Sequence, residues 1–333
     1  MNNLEEKILR TIKENKLIKD GDKLVLAVSG GPDSIAMLNA LNNIKNSKEI
    51  NFEFVVSHIN HMIREEAEED ENFVKDFCEK IGVQFFSKSI DVKEIANNNK
   101  IGLEEAGRIA RYKYFDEVAK LTDSKKIAIA HNKNDSVETT IMHILRGCGT
   151  YGLHGIVAKN GKYIRPLIDC QRQEIEDYCK ESNIEARIDK TNFENVYTRN
   201  KIRNVVIPYI KEEFNPNIIE TISRLSEAVR LEDEFYDAFT KRVFDILKRE
   251  DTSKQIIYDI GSFNMQDKVI KSRLVLYTIK RLMGTSNGIE KIHIDDILKL
   301  CEKNIGNKFL RPNKNIEIGI KNKKIYITSN ILH

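Results

Sequence analysis

Short apolar runs alternate with longer amphipathic stretches along the first half of the chain. Runs rich in β-branched residues predict strands, and apolar side chains three and four residues apart predict helices between them. The predicted strands are Leu24–Val28, Phe54–His58, Gln84–Lys88 and Ile127–His131, and the predicted helices are Ser34–Lys45, Glu68–Ile81, Leu103–Leu121 and Ser136–Arg146. This alternation predicts an α/β fold, a doubly wound parallel sheet. Ligands bind such sheets at the carboxyl ends of the strands.

The pattern changes after Pro208, where long helical stretches follow and the phrase EEFNPN around Pro216 interrupts them. Close to the end, two apolar runs joined through Asn322 predict a strand pair, 315–320 and 324–329. We therefore predict two domains: 1–214 forms the parallel sheet, and 215–333 forms a C-terminal helical domain, without strands before its short terminal β-hairpin.

Composition narrows the functional classes. The 333 residues carry 54 Lys and Arg against 51 Asp and Glu, and no apolar run approaches the ~20 residues that a membrane helix needs. The amino terminus reads as an amphipathic helix and lacks the pattern of a signal peptide, so no membrane contact and a cytoplasmic location are expected. Five cysteines without a C-x-x-C pair argue against a zinc ribbon or an iron–sulfur site built from closely spaced thiolates.

Charge is unevenly distributed. Between residues 65 and 76, seven acids accompany one lysine, which suits the first turns of a solvated helix. Between residues 299 and 326, eight Lys and Arg accompany two acids. This basic tail fits two interpretations, a phosphate-binding surface or a lysine-rich edge hairpin protected from aggregation.

The segment LVLAVSGGPDS, residues 24–34, runs from a strand through a glycine-rich turn into a helix. The two glycines let backbone N–H groups approach an anion, and the helix start adds further unpaired N–H groups. The loop consists of Ser29, Gly30, Gly31, Pro32, Asp33 and Ser34. It lacks the lysine of a Walker A loop, and Asp33 would repel bare phosphate unless a divalent cation lies between them. A phosphate site with magnesium on Asp33 is therefore predicted.

This loop resembles the hallmark SGGxDS of the PP-loop ATP pyrophosphatases, in which it holds the pyrophosphate that leaves when a substrate is adenylated. The resemblance implies a fold like that of the adenine nucleotide alpha hydrolases.

Four further clusters carry candidate chemistry. They are His58, His61 and Arg64 in SHINHMIR; Glu104, Arg108 and Arg111 in LEEAGRIARY; His131, Asp135 and Glu138 in HNKNDSVET; and Asp189, Asn192, Arg199, Asn200 and Arg203 in the stretch 189–204. A histidine at a strand end is often structural, and His58 with His61 lacks a third metal ligand. Glu104 and Arg108 have the spacing of a surface ion pair, whereas an arginine here could also stabilise developing phosphate charge.

The cluster after the fourth strand also has two interpretations. Asp135 and Glu138 have the spacing of a capping box, but His131 at the strand end beside two carboxylates favours binding an amine or relaying a proton. The last cluster could be a polar loop followed by a basic helix start.

Taken in order, these segments resemble the tRNA(Ile)-lysidine synthetases, a PP-loop family, over roughly residues 20–210. Two positions depart from the family pattern: Asn134 stands where an aspartate is common, and Gly107 where an alanine is common. The departure at Asn134 leaves Asp135 as the anionic residue of that motif. Longer members have a further C-terminal domain, and this chain is expected to end before it.

The resemblance implies ATP-dependent ligation of free L-lysine to the wobble cytidine of tRNA(Ile) with a CAU anticodon, through an adenylated cytidine, giving AMP and pyrophosphate. The implied cofactors are ATP as co-substrate and Mg²⁺ on Asp33, and a homodimer is a further expectation. The implied catalytic residues are Asp33, Arg111, His131, Asp135 and Glu138, with Arg111 on the phosphates. The loop residues 29–34 and His58 would bind ATP or pyrophosphate, and Arg64, Glu104, Arg108, Asp189, Asn192, Arg199, Asn200 and Arg203 would shape the site or contact tRNA.

Two rival functions remain open from the sequence. The first is another adenylating PP-loop enzyme acting on tRNA, such as a thiolase or an amide-forming synthetase. The missing C-x-x-C pairs count against cluster-dependent thiolases. The second is a nucleotide-binding or RNA-binding module without catalysis, which ATP cleavage to AMP and pyrophosphate would exclude.

Overall fold

Two units make up the chain, Met1–Val229 and Arg230–His333, each with its own sheet and hydrophobic core. The structure is a computed structural model and describes residues 2–60, 62, 67–185, 187, 198–303 and 308–330. In these ranges no helix is both long and apolar enough to cross a membrane.

The amino-terminal unit contains a six-stranded sheet. Its strands are β1 (Asp22–Ala27), β2 (Phe52–Asn60), β3 (Phe85–Ser89), β4 (Lys126–Ile129), β5 (Lys159–Asn160) and β6 (Tyr163–Ile164), in the order β3-β2-β1-β4-β6-β5. All neighbours are parallel except β5 and β6. The order reverses at β1, because β2 and β3 lie on one side of it and β4 on the other. A crevice at the carboxyl ends of β1 and β4 is thus the expected ligand site.

Helices connect these strands. They are α1 (Asn3–Glu14), α2 (Pro32–Asn46), α3 (Ala67–Ile81), α4 (Val92–Asn99), α5 (Leu103–Leu121), α6 (Lys133–Arg146), α7 (Arg172–Glu181), α8 (Thr198–Lys201), α9 (Ile207–Glu213) and α10 (Ile218–Leu247), which contains the division between the units. A 3₁₀ turn spans Thr150–His154, and a π-helical turn spans Ile202–Val206. The predicted strands and helices are confirmed with ends moved by up to three residues. Since α2 and α6 begin earlier than predicted, Asp33 and Asp135 lie in first turns.

The apolar run of β1 is continuous because both faces of the sheet are buried. On one face, Leu24 and Leu26 pack in the main core with residues of α1 and α2. On the other face, Val25 packs with Tyr114 and Phe115 of α5. This central position fixes the strand that leads into the glycine-rich loop.

The carboxyl-terminal unit has a five-stranded antiparallel sheet of order β7-β8-β11-β10-β9. Its strands are β7 (Lys248–Asp251), β8 (Gln255–Asp259), β9 (Phe309–Asn313), β10 (Ile316–Lys321) and β11 (Lys324–Ser329), and its helices are α11 (Ile260–Asn264), α12 (Lys268–Met283) and α13 (Lys291–Glu302). The predicted hairpin is confirmed as β10 and β11. The expectation of helices alone before it is wrong, since β7 and β8 interrupt them and β9 also precedes the hairpin. All three strands are short, and β7 (KRED) is wholly polar, so none shows strand periodicity.

Candidate active site

The glycine-rich loop lies at the carboxyl end of β1. Gly30 has a φ of +92°, a conformation that side chains disfavour, and Gly31 is the N-cap of α2, followed by Pro32 at the first position. The hydroxyl of Ser34 accepts a hydrogen bond from the Ser29 N–H at 3.1 Å and donates one to the Gly31 carbonyl at 2.9 Å. These two hydrogen bonds thus join the beginning of the loop to the first turn of α2.

This closed loop leaves backbone donors unused. Within the described part of the chain, the N–H groups of Gly30, Gly31 and Asp33 have no hydrogen-bond acceptor. Three such donors beside the positive end of the α2 dipole are the arrangement that anions bind at helix starts. The predicted phosphate-binding loop therefore has the backbone geometry that an oxyanion requires.

His58 supports this loop from β2. The ring is buried, and its Nδ1 lies 2.9 Å from the carbonyl oxygen of Val28, the residue before Ser29. Nδ1 therefore donates the hydrogen bond, and burial lowers the pKa of the ring below its ordinary value. The contact that the structure gives His58 is with the backbone that leads into the loop.

Asp33 occupies the first turn of α2 and faces the end of β4. Its Oδ1 accepts a hydrogen bond of 3.0 Å from the side-chain amide of Asn132. Burial raises the pKa of Asp33 to about 6, and the carboxylate of Asp135 adds to the rise, against the opposing effects of Arg172 and Asn132. The site therefore places two carboxyl groups close enough to repel each other.

Asn132 caps α6 in a reciprocal arrangement. Its Oδ1 accepts from the N–H of Asp135 at 3.0 Å, and its own N–H donates to Oδ2 of Asp135 at 3.1 Å. The capping box is therefore formed by Asn132 and Asp135, and the alternative pair suggested by the sequence, Asp135 with Glu138, is wrong. Glu138 takes no part in this capping box.

Arginine side chains surround the two carboxylates of α6. Arg203 donates to Oε1 of Glu138 at 2.7 Å from Nε, and from Nη2 to Oε2 of Glu138 at 2.8 Å and to Oδ1 of Asp135 at 3.0 Å. Glu138 is only 1% exposed, and Arg199 and Arg172 lie 3.6 and 3.8 Å from its oxygens. The arginine side chains thus neutralise the negative charge of Asp135 and Glu138.

Arg172 was not among the sequence candidates. It is the first residue of α7, and its N–H donates to Oδ1 of Asn134 at 3.0 Å. Asn134, which departs from the family pattern, hence fastens α7 to α6. No spacing in the sequence indicates this contact, because it depends on how α7 packs against α6.

His131 lies just after β4 and is held by Arg165. The Nε–H of Arg165 donates to Nδ1 of His131 at 3.3 Å, and its Nη1 donates to the carbonyl of Val157 at 2.8 Å. Burial lowers the pKa of His131 to about 4; the carboxylate of Asp135 opposes this shift, and the charges of Arg165, Arg199 and Arg108 add to it. The ring is therefore neutral at pH 7 with its proton on Nε2.

Helix α5 brings the third cluster to the same region. Arg108 lies 4.8 Å from the centre of the Tyr112 ring, and it makes no ion pair with Glu104 among the described residues. Desolvation and the like charge of Arg108 lower the pKa of Arg111, with Glu104 and Arg199 as further charged neighbours. In the described ranges, Arg111 has no hydrogen bond or ion pair, so its donors remain available for a substrate anion.

The remaining sequence candidates fall in two groups. Asn200 lies in α8 and is half-buried. Arg64, Asp189 and Asn192 lie outside the described residues, as does His61.

Comparisons with known proteins identify relatives of this chain. Residues 1–210 match the family model described as a PP-loop domain. The chain is similar to the tRNA(Ile)-lysidine synthase of Clostridioides difficile, with 40% identity over 326 residues that cover 97% of this chain and 70% of the relative. It is also similar to that of Caldanaerobacter subterraneus subsp. tengcongensis, with 42% identity over 92% of this chain and 65% of the relative. The chain thus spans about two thirds of the length of these relatives.

One solved structure shares the fold. The U34-tRNA thiolase from Methanococcus maripaludis, solved with its 4Fe-4S cluster, aligns with a TM-score of 0.56 and 19% identity over 68% of this chain and 77% of the thiolase. At this identity the similarity concerns the fold alone.

Proposed function

We propose, from the premise that the chain belongs to the tRNA(Ile)-lysidine synthase family, that it ligates free L-lysine to C2 of the wobble cytidine of tRNA(Ile) with a CAU anticodon. The reaction would consume ATP and release AMP and pyrophosphate. Nearly the whole chain aligns with relatives of that name.

One observation carries this proposal. The hydrogen bond between Asp33 and Asn132 joins the anion-binding loop after β1 to the carboxylate pair after β4. A site for a leaving anion thus lies beside a site that attracts a cation. An enzyme that adenylates one substrate and then admits an amine needs both.

In the first step, the cytosine O2 would attack the α-phosphorus of ATP, and the bond from that phosphorus to the bridging oxygen of pyrophosphate would break. The N–H groups of Gly30, Gly31 and Asp33 would receive the leaving pyrophosphate. Arg111, whose donors have no partner among the residues that the structure describes, would stabilise negative charge on the reacting phosphate. His131, neutral with a proton on Nε2, is suited to donate a hydrogen bond to an oxygen of the substrate.

In the second step, the side-chain nitrogen of lysine would attack C2 of the adenylated cytidine. The C2–O2 bond would break, and AMP would leave with that oxygen. Lysine arrives as an ammonium ion and must first lose a proton, for which Asp135 and Glu138 are the acceptors beside it. Because Arg203 occupies both carboxylates in this state, the incoming ammonium must share or replace its contacts.

The donor set at Asp33 fits magnesium. The pKa of Asp33 is raised by burial and by Asp135, a repulsion that a bound cation would relieve. Among the described residues, no three His, Cys, Asp or Glu side chains gather into a metal site. Asp33 would therefore hold Mg²⁺ together with phosphate oxygens and water, as this ion prefers, and the ion would supply charge neutralisation of the phosphates.

Four of the five cysteines are buried, and Cys148 is exposed. Cys78, Cys170 and Cys301 are buried, and burial raises the pKa of each to about 12. Cys179 is buried too, with a pKa of about 11. A thiol held in its neutral form is a poor nucleophile and metal ligand, so these four are suited to packing.

The test is an assay of AMP and pyrophosphate release with ATP and Mg²⁺, with and without unmodified tRNA(Ile) and lysine, followed by mass analysis of the nucleosides. We expect tRNA-dependent release and a lysine-sized mass gain on one cytidine. Release without that mass gain would indicate an adenylating enzyme with another substrate. No release at all would indicate a nucleotide-binding or RNA-binding module without catalysis. A cytoplasmic location and homodimerisation stay predictions, and sedimentation analysis tests the second.

A further inference from the structure

The chain returns to the glycine-rich loop after α7, at Arg187, which was not among the sequence candidates. The backbone N–H of Arg187 donates a hydrogen bond to the carbonyl of Gly30 at 3.3 Å. A Cβ placed on Gly31 would lie 4.0 Å from the carbonyl oxygen of Arg187. The backbone of residue 187 is therefore in direct contact with the loop.

This contact fixes the orientation of the peptide between Gly30 and Gly31. Because a glycine lies on each side of it, this peptide is less restricted in rotation than others. The C=O and N–H of a trans peptide point to opposite sides, so the bond from Arg187 to the Gly30 carbonyl directs the N–H of Gly31 away from residue 187. That N–H is one of the three donors that have no acceptor in the described part of the chain. Arg187 is thus held at the loop on the side opposite to this donor.

The side chain of Arg187 joins the loop to the start of α3. Its Nε lies 3.2 Å from Oδ1 of Asp70, and its Nη2 donates to Oε2 of Glu69. The guanidinium side chain is 36% exposed, and that of Glu69 is 63% exposed. Ion pairs as exposed as these contribute little to the free energy of unfolding. Their main effect is therefore on the charge near the loop.

Asp70 lies beside the anion-binding loop. A Cβ placed on Gly30 would lie 3.7 Å from the carbonyl oxygen of Asp70 and 3.8 Å from its Cβ. The charge of Asp70 also acts on the ring that supports the loop: burial lowers the pKa of His58, and the charges of Glu71 and Asp70 are among the effects that oppose this shift. A carboxylate at this position repels a phosphate group in the loop. Without the guanidinium of Arg187, the start of α3 would weaken anion binding.

We propose that Arg187 is a positioning residue for pyrophosphate: its guanidinium neutralises Asp70 and Glu69, so that the anion can bind in the loop beside them. Arg187 acts through these two carboxylates and does not contact pyrophosphate itself. The proposal rests on the proposed function, in which the loop receives the leaving pyrophosphate. It also gives the acids at the start of α3 a role beyond that of a solvated helix start, because they hold Arg187 across the loop.

The experiment measures the affinity of the full chain for inorganic pyrophosphate with Mg²⁺ by calorimetry, in a mutant cycle. We expect Arg187→Gln to weaken binding by roughly tenfold or more, because two carboxylates then repel the anion. In the background Asp70→Asn with Glu69→Gln, the same replacement should weaken binding by less than about threefold, because the repelling charges are gone. Arg281→Gln, which breaks a bidentate contact of 3.0 and 2.9 Å with Asp251 in the other unit, is the matched control that keeps the affinity.

Arg187→Lys keeps the positive charge and should restore most of the affinity that Arg187→Gln loses. An equal loss from Arg187→Gln in both backgrounds would show that the guanidinium contacts phosphate directly, and this result would overturn the proposal. Unchanged affinity in Arg187→Gln, or failure of this variant to fold, would overturn it as well. If the chain binds pyrophosphate but does not ligate lysine, the proposed function fails, and the mutant cycle still decides the role of Arg187.

Discussion

The side-chain amide of Asn132 donates a hydrogen bond of 3.0 Å to the carboxylate of Asp33, a residue 99 positions earlier in the chain. Each residue lies at the start of a helix that follows a central parallel strand, β4 for Asn132 and β1 for Asp33. The same Asn132 side chain accepts from the N–H of Asp135. One amide thus holds together the anion-binding loop and the acidic turn of α6.

Replacing Asn132 tests this link. We expect Asn132→Ala to lower the free energy of unfolding by about 1–2 kcal/mol, because α6 loses its N-cap, and to slow pyrophosphate release. Asn132→Asp keeps the cap oxygen but places a carboxylate against Asp33, so it should be closer to wild type in stability at pH 5 than at pH 8. Urea unfolding at both pH values measures the difference. Equal stability of Asn132→Ala and wild type would show that the cap does not contribute to the free energy of unfolding.

Asp33→Asn should abolish pyrophosphate release while preserving the fold. Because the pKa of Asp33 is raised from its ordinary value to about 6, its ionised form costs stability above that pH, and the cost disappears as the pH falls toward 4. The variant should therefore be more stable than wild type at pH 8, by about 1–2 kcal/mol, with no difference near pH 4. Denaturant curves across this range check the sign, and normal turnover would exclude Asp33 as the metal ligand.

Glu138→Gln should separate the two steps. We expect tRNA-dependent pyrophosphate release to remain, whereas AMP release and lysidine formation should fall at least a hundredfold, because the buried carboxylate that faces the ammonium is gone. Removing one partner of the contact with Arg203 should also cost about 1–3 kcal/mol of stability. Glu79→Gln, on the exposed face of α3, serves as the control. Lysine dependence equal to wild type in Glu138→Gln would refute its role at the amine.

The sequence predicted the parallel sheet and the position of the glycine-rich loop at the end of β1 because these depend on local signals. The glycines of the loop and the apolar run of β1 are adjacent in sequence, so position and chemistry could be derived together. The capping box shows the limit of that approach. Asn132 with Asp135 and Asp135 with Glu138 have the same spacing, and the choice depends on where β4 ends, at Ile129.

Contacts that depend on tertiary packing could not be predicted from the sequence. The contacts of Arg172 and Arg165 with α6 and His131 bring together residues far apart in the chain. The strands β7, β8 and β9 also escaped prediction, because each depends on pairing with a neighbouring strand more than on its own composition. The partner is β8 for β7, β11 for β8 and β10 for β9.

The hairpin turn between β10 and β11 offers a stability prediction in the carboxyl-terminal unit. Its two central residues, Asn322 and Lys323, have φ values of +51° and +57°, the conformation of a turn that favours Asn-Gly. Lys323→Gly should therefore raise the free energy of unfolding by about 0.5–1 kcal/mol. Lys324→Gly lies in β11 and should lower it. Thermal unfolding of both variants is the measurement, and destabilisation by Lys323→Gly would show that the lysine side chain has an unrecognised contact.

The tautomer of His131 yields a pH prediction. Since Arg165 donates to Nδ1 and the pKa of the ring is lowered to about 4, nitrogen-15 NMR should show a neutral ring with its proton on Nε2 from pH 5 to 8. Arg165→Gln removes one positive neighbour and should move the pKa toward the ordinary 6.5, with Arg108, Arg199 and Asp135 still facing the ring.

The lowered pKa of His131 also predicts how the stability of the fold changes with pH. The unfolded chain protonates this histidine near pH 6.5 and the folded chain only near pH 4, so His131 makes the fold less stable as the pH falls through that window. His131→Asn should therefore lose less stability than wild type between pH 7 and 4, whereas His293→Asn in α13 provides the matched control. A protonated His131 at pH 6 would show that Arg165 does not hold the neutral tautomer, and the assignment of His131 as a hydrogen-bond donor would then give way to that of a proton acceptor.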